Sequence, residues 1–136
     1  MADRLTLEVA TPSHSVVSEL VDEVVVPGIE GYFGVLPGHA AFLSTLGIGE
    51  LTYRVGRDER HLAVVHGFCE VRNDKVIVLA ERAETPEEID RARAERARER
   101  AERRLASHTQ EEVDYLRAEA ALRRALIRIQ VAGRNH

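Results

Sequence analysis

Tryptophan is absent from this chain, and cysteine, methionine and lysine occur once each. With aromatics at only 4% of residues, any core must be built from Val, Leu, Ile and Ala. The lone Cys69 excludes an internal disulfide. A single thiol is what a reducing cytoplasm permits, and it reads as a structural, strand-borne residue. No apolar stretch approaches the roughly 18 residues of a membrane-spanning helix, and Met1-Ala2-Asp3-Arg4 lacks the apolar run of a signal peptide. A soluble chain is expected, brought near a membrane only by a partner. No glycine-rich phosphate loop leads from strand to helix, and Ser13, Ser15 and Ser18 sit in no nucleophile elbow. His14, His39, His61, His66, His108 and His136 are scattered without metal-ligand spacing. No catalytic residue set and no metal site is therefore expected.

What is present divides sharply in two. A chain of 136 residues buries one modest core. Up to residue 84 it consists of short Val-rich segments at 5–10, 15–20, 23–26, 31–35, 42–46, 50–55, 61–66, 67–71 and 75–80. Turn chemistry separates them at Gly28, Pro37-Gly38, Gly47, Gly56-Arg57-Asp58 and Asn73-Asp74. Many short, closely spaced strands mean a sandwich or barrel, and the absence of strand-helix alternation removes most nucleotide-binding α/β folds. From Thr85 onward the sequence turns to Ala, Arg and Glu, with only Pro86 and Gly133 as breakers. The reading is α+β: a 1–84 antiparallel β-sandwich of about ten short strands, followed by an 85–136 antiparallel two-helix hairpin.

Local signals mark the helix ends. Thr85-Pro86-Glu87-Glu88 is a capping box with Pro at the first helical position, and Thr109-Gln110-Glu111-Glu112 is a second box after the break at Ser107-His108. Gly133 is placed as a left-handed C-terminal cap. The apolar faces are thin, with Ile89, Ala92, Ala97, Ala101 and Leu105 on the first helix. Val113, Leu116, Ala120, Leu122, Ala125, Ile127 and Ile129 serve the second. Alanine buries little area, so weak helix-to-helix packing is expected, with high helix propensity sustaining each helix.

Charge is unevenly distributed. Residues 1–84 hold seven basic and thirteen acidic groups, while residues 85–136 hold twelve and ten, and every basic group there is Arg. Arg93, Arg96, Arg100 and Arg103 recur at three- and four-residue steps along one helical face, with Asp90 in range of Arg93. Arg124 and Arg128 are four apart on the second helix, and an antiparallel return lays them beside the start of the first. On its own this pattern favours a solvated, salt-bridged face, the functional alternative being a polyanion site in which guanidinium forks clamp phosphates while Asp90 and Glu84 orient the donors.

The stretch Glu30-Gly31-Tyr32-Phe33-Gly34-Val35-Leu36-Pro37-Gly38-His39-Ala40, followed by the helical pair, resembles the epsilon subunit family of bacterial F-type ATP synthases. The resemblance spans the whole chain. It implies a β-sandwich with a C-terminal two-helix domain, in the rotating central stalk with the gamma subunit. It also implies that Glu30, Gly31, Tyr32 and His39 belong to the contact with the c-ring. Many relatives carry an acid where this chain has Tyr32, which makes that contact less electrostatic here. ATP-sensing members carry Ile or Leu, then Asp, two free positions, and Arg-Ala. Ile89-Asp90-Arg91-Ala92-Arg93-Ala94 matches that motif in full. By the same resemblance Glu84, Ile89, Asp90, Arg93, Ala94, Arg100, Arg124 and Arg128 form a nucleotide site, with ATP as a regulatory ligand and no required cofactor.

The implied function is that of a non-catalytic rotor subunit coupling gamma to the c-ring. It is expected at the cytoplasmic face of the bacterial plasma membrane, as a peripheral part of the complex with no nucleic-acid partner. Its helices, when extended toward the catalytic alpha/beta head, are expected to impede ATP hydrolysis, and ATP to favour the folded hairpin. The alternative is a stand-alone β-domain adaptor whose arginine helices bind RNA or another acidic partner. The shortage of stacking aromatics, with Tyr115 alone in the helical part, counts against RNA.

Overall fold

The computed structural model describes residues 4–107 and 111–134, apart from the Val113 side chain. Seven strands are present: β1 (Leu5–Ala10), β2 (Ser15–Val21), β3 (Glu23–Gly28), β4 (Gly31–Val35), β5 (Phe42–Val55), β6 (Asp58–Arg72) and β7 (Lys75–Glu84). They hydrogen-bond in the order β2-β1-β7-β6-β5-β3-β4. All seven strands contribute to a single buried cluster, including Val17 and Val21 of one edge strand and Val35 of the other. A flat sheet cannot bring its two edges into one core, so the sheet folds over on itself as a sandwich.

Two long strands make that fold possible. The sequence segments 42–46 and 50–55 are one strand, as are 61–66 and 67–71, because the ladder runs on through Leu46↔Gly67 and Ile48↔Val65. The bend in β6 falls at His66 and Gly67, with φ of 52° and 127°. Gly67 faces Ala80 across the ladder, and a Cβ there would overlap the Leu79 carbonyl, so only glycine fits. One pairing departs from the antiparallel expectation: β1 lies parallel to β7. The first strand thereby inserts between its hairpin partner and the last strand of the sheet.

Alternation carries the core. Leu5, Leu7 and Val9 of β1 point inward, as do Val76 and Val78 of β7, with polar or outward residues between them. Cys69 is fully buried in this core, and burial pushes its thiol up to about 12. Asp22, between β2 and β3, accepts from the Gly56 amide at 2.6 Å and from Arg4 Nε at 3.2 Å, with Arg54 3.8 Å away. These partners, the Gly56 amide first, hold its carboxyl below the usual range.

The chain divides into two compact units, Met1–Glu84 and Thr85–His136. In the second, a 3-10 turn at Pro86–Glu88 precedes α1 (Arg91–Leu105) and α2 (Glu112–Ala132). The Glu88 carboxylate accepts from the Thr85 amide at 3.0 Å and from its hydroxyl at 2.9 Å. This capping box closes only the short turn, because Ile89 is extended. The long helix begins two residues later, capped by Asp90, whose carboxylate accepts from the Arg93 amide at 3.0 Å. The second predicted box includes Thr109 and Gln110, which lie outside the described residues, as do His108 and His136. Gly133 is not left-handed: its φ is −69°, and α2 ends in a right-handed turn with the Arg134 amide donating to the Val131 carbonyl.

The helices pack on each other through small residues. Ala94 and Ala101 of α1, and Ala118 and Ala125 of α2, are buried at seven-residue spacing in each helix. Ala92 and Leu116, expected in the seam, are exposed. Ile89, Ala101 and Ala125 of the expected faces are buried, whereas Ala92 and Leu116 lie two residues, about 160°, around the helix from the buried Ala94 and Ala118.

Candidate functional site

Three surfaces carry chemistry. The first is an open groove of about 530 Å³ on the sandwich, lined by Ile29, Leu46, Phe68 and Leu79, with Thr11 and His66 among its other walls. Phe68 and Leu79 are direct cross-strand partners on β6 and β7, on the face opposite the buried Cys69 and Val78. Ile29, Phe68 and Leu79 remain 63%, 57% and 56% exposed. Such a contiguous apolar surface marks an interaction site in preference to a solvated face. Sequence reasoning did not single these residues out. The signal was strand parity, since with Cys69 and Val71 inward, Phe68 must point out.

The second surface is the tip formed by β4 and its flanking loops. Glu30 lies in the exposed two-residue β3–β4 turn with Ile29, and Gly31 opens β4 with φ of 136°. His39 lies beyond the other end of β4, so the structure places the four predicted ring-contact residues in two clusters. An aromatic chain joins the second cluster back to the strand: Phe33 meets Phe42 edge-on with centroids 5.1 Å apart, and Phe42 lies 6.2 Å from the His39 ring. The loop is also pinned through the Gly38 amide, which donates to the Asp74 carboxylate at 2.7 Å. Tyr32 is 58% exposed, yet its hydroxyl accepts from the Glu50 amide on β5 at 2.9 Å. The β3–β5 register breaks between Val25 and Gly28, around Pro27, and at that break the phenol oxygen serves as acceptor for the Glu50 amide. Gly49 makes room for it, since a Cβ there would collide with the Tyr32 hydroxyl and with Pro27.

The third surface is the arginine face of the helical unit. Arg93 and Arg100 are exposed two turns apart on α1, and neither forms an ion pair among the described residues. Arg124 and Arg128 are half-buried on successive turns of α2. Because α2 also touches the 3-10 turn that precedes α1, its later half runs beside the beginning of α1. Ile89 and Ala94 are buried, Ala94 completely, so they shape the packing beneath the arginines. The Asp90 carboxylate is committed to the helix cap. Glu84 ends β7 and belongs to the sandwich unit, where it is half-buried and partnered.

Among the described residues, no group of three or more His, Cys, Asp or Glu is placed to hold a metal ion. Among them too, no helix is long and apolar enough to cross a membrane.

A folded-over seven-strand sandwich carrying a two-helix unit defines the class of protein. Residues 4–86 match the ATP synthase delta/epsilon chain β-sandwich domain, and residues 87–133 match the long α-helix domain of the same chains. The ATP synthase epsilon chain 2 of Syntrophotalea carbinolica is 53% identical over 134 residues, covering 98% of this chain and 97% of that protein. The ATP synthase epsilon chain of Syntrophobacter fumaroxidans is 56% identical over 106 residues, 78% of this chain and 79% of that one. Among solved structures, a chain of the Euglena gracilis mitochondrial ATP synthase (OSCP/F1/c-ring) shares the fold. Its TM-score is 0.83 at 24% identity, covering 97% of this chain and 82% of that one. The chain belongs to the ATP synthase delta/epsilon family.

Proposed function

We propose that the chain is a non-catalytic subunit of the rotating central stalk of an F-type ATP synthase, joining the gamma subunit to the c-ring. The observation that carries this reading is the open apolar groove on the sandwich, which serves as the docking face for gamma. A monomer gains nothing by exposing Ile29, Phe68 and Leu79 together, whereas aromatic and aliphatic anchors in a desolvated pocket dominate protein interfaces. The β3–β4 turn with Glu30, Gly31 and Tyr32, and the pinned loop carrying His39, form the c-ring contact. The protein then resides peripherally at the cytoplasmic face of the bacterial plasma membrane, held there through the complex alone.

The helical unit regulates the motor. Arg93, Arg100, Arg124 and Arg128 clamp the triphosphate of ATP, with Asp90 acting as a positioning residue that fixes the start of α1 and so aims Arg93. Glu84, Ile89 and Ala94 complete the set by motif. ATP bound only to the folded hairpin stabilises it by about 2.7 kcal/mol at a hundredfold excess over Kd. Without ATP the helices reach the catalytic alpha/beta head and impede hydrolysis.

Co-expression of the tagged chain with gamma tests the stalk assignment. Gamma is expected to co-purify whether or not nuclease is added, and Phe68→Glu with Leu79→Glu to weaken binding by about 2 kcal/mol or more. Undiminished binding by that double variant, with its circular dichroism unchanged, would remove the groove from the interface. Calorimetry tests the sensor separately: ATP binds without being hydrolysed, and Arg93→Ala or Asp90→Ala weakens it. No heat of binding at millimolar ATP would eliminate the sensor and leave the stalk assignment intact.

A further inference from the structure

The α1 helix is zoned. At about 100° per residue, Arg93, Arg96, Arg100, Arg103 and Arg104 fall within a sector of about 100°, next to the buried side that carries Ala94 and Ala101. All five are exposed, and none forms an ion pair or side-chain hydrogen bond among the described residues. The acids of this helix do not neutralise that sector: Asp90 caps the helix, and Glu99 at the sector's edge pairs with none of the five among the described residues. Glu95 pairs with Arg91 and Arg98, and Glu102 with Arg98, on the other side of the helix. A helix made only for solubility interleaves its signs and pairs them at three and four residues. Here five guanidiniums stand unneutralised along about 16 Å, at 1.5 Å per residue, and repel one another.

We propose that this outer face of α1 is a binding site for linear oligophosphate chains, recognised through their phosphates and not through a base. Each guanidinium fork engages one phosphate group bidentately, so five forks outnumber the phosphates of a nucleoside triphosphate and are filled only by a longer chain. An acidic peptide fits less well, because the sector holds no apolar side chain to anchor one. A base has nothing to stack on, since Tyr115, the only aromatic of the helical unit, stands on α2. The site extends beyond the nucleotide reading, because Arg96, Arg103 and Arg104 belong to no part of that set.

The test is calorimetry on the full chain at fixed ionic strength, with long-chain inorganic polyphosphate, inorganic tripolyphosphate, ATP and polyglutamate as separate titrants. Long polyphosphate is expected to bind about tenfold or more tighter than tripolyphosphate, a difference of about 1.4 kcal/mol. The triple variant Arg96→Ala, Arg103→Ala, Arg104→Ala is expected to lose that advantage while its tripolyphosphate affinity and helicity hold. The corresponding triple Lys variant keeps the charge but loses the forks, and is expected to fall between. Polyphosphate binding no tighter than tripolyphosphate, an unchanged triple variant, or polyglutamate binding equally well would each overturn the proposal. ATP binding without polyphosphate enhancement would sink this site and spare the nucleotide reading, and the converse would do the opposite.

Discussion

The two units bury their interiors with different materials. In the sandwich, Leu5, Leu7, Leu46, Leu51 and Leu62 are 0–1% exposed within a continuous cluster of valines. Among its described residues the helical unit buries Ala94, Ala101, Ala118 and Ala125, with Val131 and Ile89 as the larger buried side chains. At roughly 25 cal/mol per Å² of apolar surface, a leucine contributes several times what an alanine methyl does. The sandwich is therefore rigid from packing. The helices persist mainly through propensity, caps and ion pairs such as Arg98 with Glu95 at 3.1 Å. A rotor body must keep its shape under load, and a regulatory element must change state for a few kcal/mol, so the contrast suits the proposed division of labour.

The largest expected effect breaks the sandwich side of this contrast. Leu51→Ala removes a fully buried side chain and should cost about 3–5 kcal/mol, read as a lower denaturation midpoint. Gly67→Ala should follow at about 2–4 kcal/mol, because it strains a left-handed position and forces β6 away from the Leu79 carbonyl at the bend. Asp90→Ala should cost only about 1 kcal/mol, confined to the start of α1, and measurable as faster amide exchange at Arg93.

The smallest effect at neutral pH appears only in alkali. Cys69, raised from 9.0 to about 12 by burial, and Tyr53, raised from 10.0 to about 12 by burial and Glu19, keep their protons in the folded state. Their contribution is fully present below the unfolded values and is lost as pH rises from about 9 toward 12, because the unfolded chain deprotonates first. Chemical denaturation across that range should show falling stability, and the native Cys69 thiol should resist alkylation.

Much of the sandwich was legible because strand parity and turn residues are local. Leu5, Leu7 and Val9 alternate, and Asn73-Asp74 turn the chain with φ of 51° and 58°. What was not legible depends on strands remote in sequence. Gly47 and the His66-Gly67 pair read as breaks, yet the ladder continues through them because the partner strand bends at the same level. The Tyr32 hydroxyl bond needs the order β4-β3-β5 and the register break around Pro27. In the helical part, Thr85 was the louder start signal, whereas Asp90 is the cap of α1, a role its place in the Ile89-Asp90 motif did not announce. The arginine spacing was visible, but its lack of counter-ions was not, because Glu99 lies in pairing range of both Arg96 and Arg103 in sequence and pairs with neither.

Native-state hydrogen exchange on the full chain tests the contrast between the units most directly. Amides of β5, β6 and β7 should open only with global unfolding, while those of α1 and α2 should exchange through a separate opening several kcal/mol lower, spread over both helices together. Equal opening free energies in the helices and the sandwich core would contradict the account.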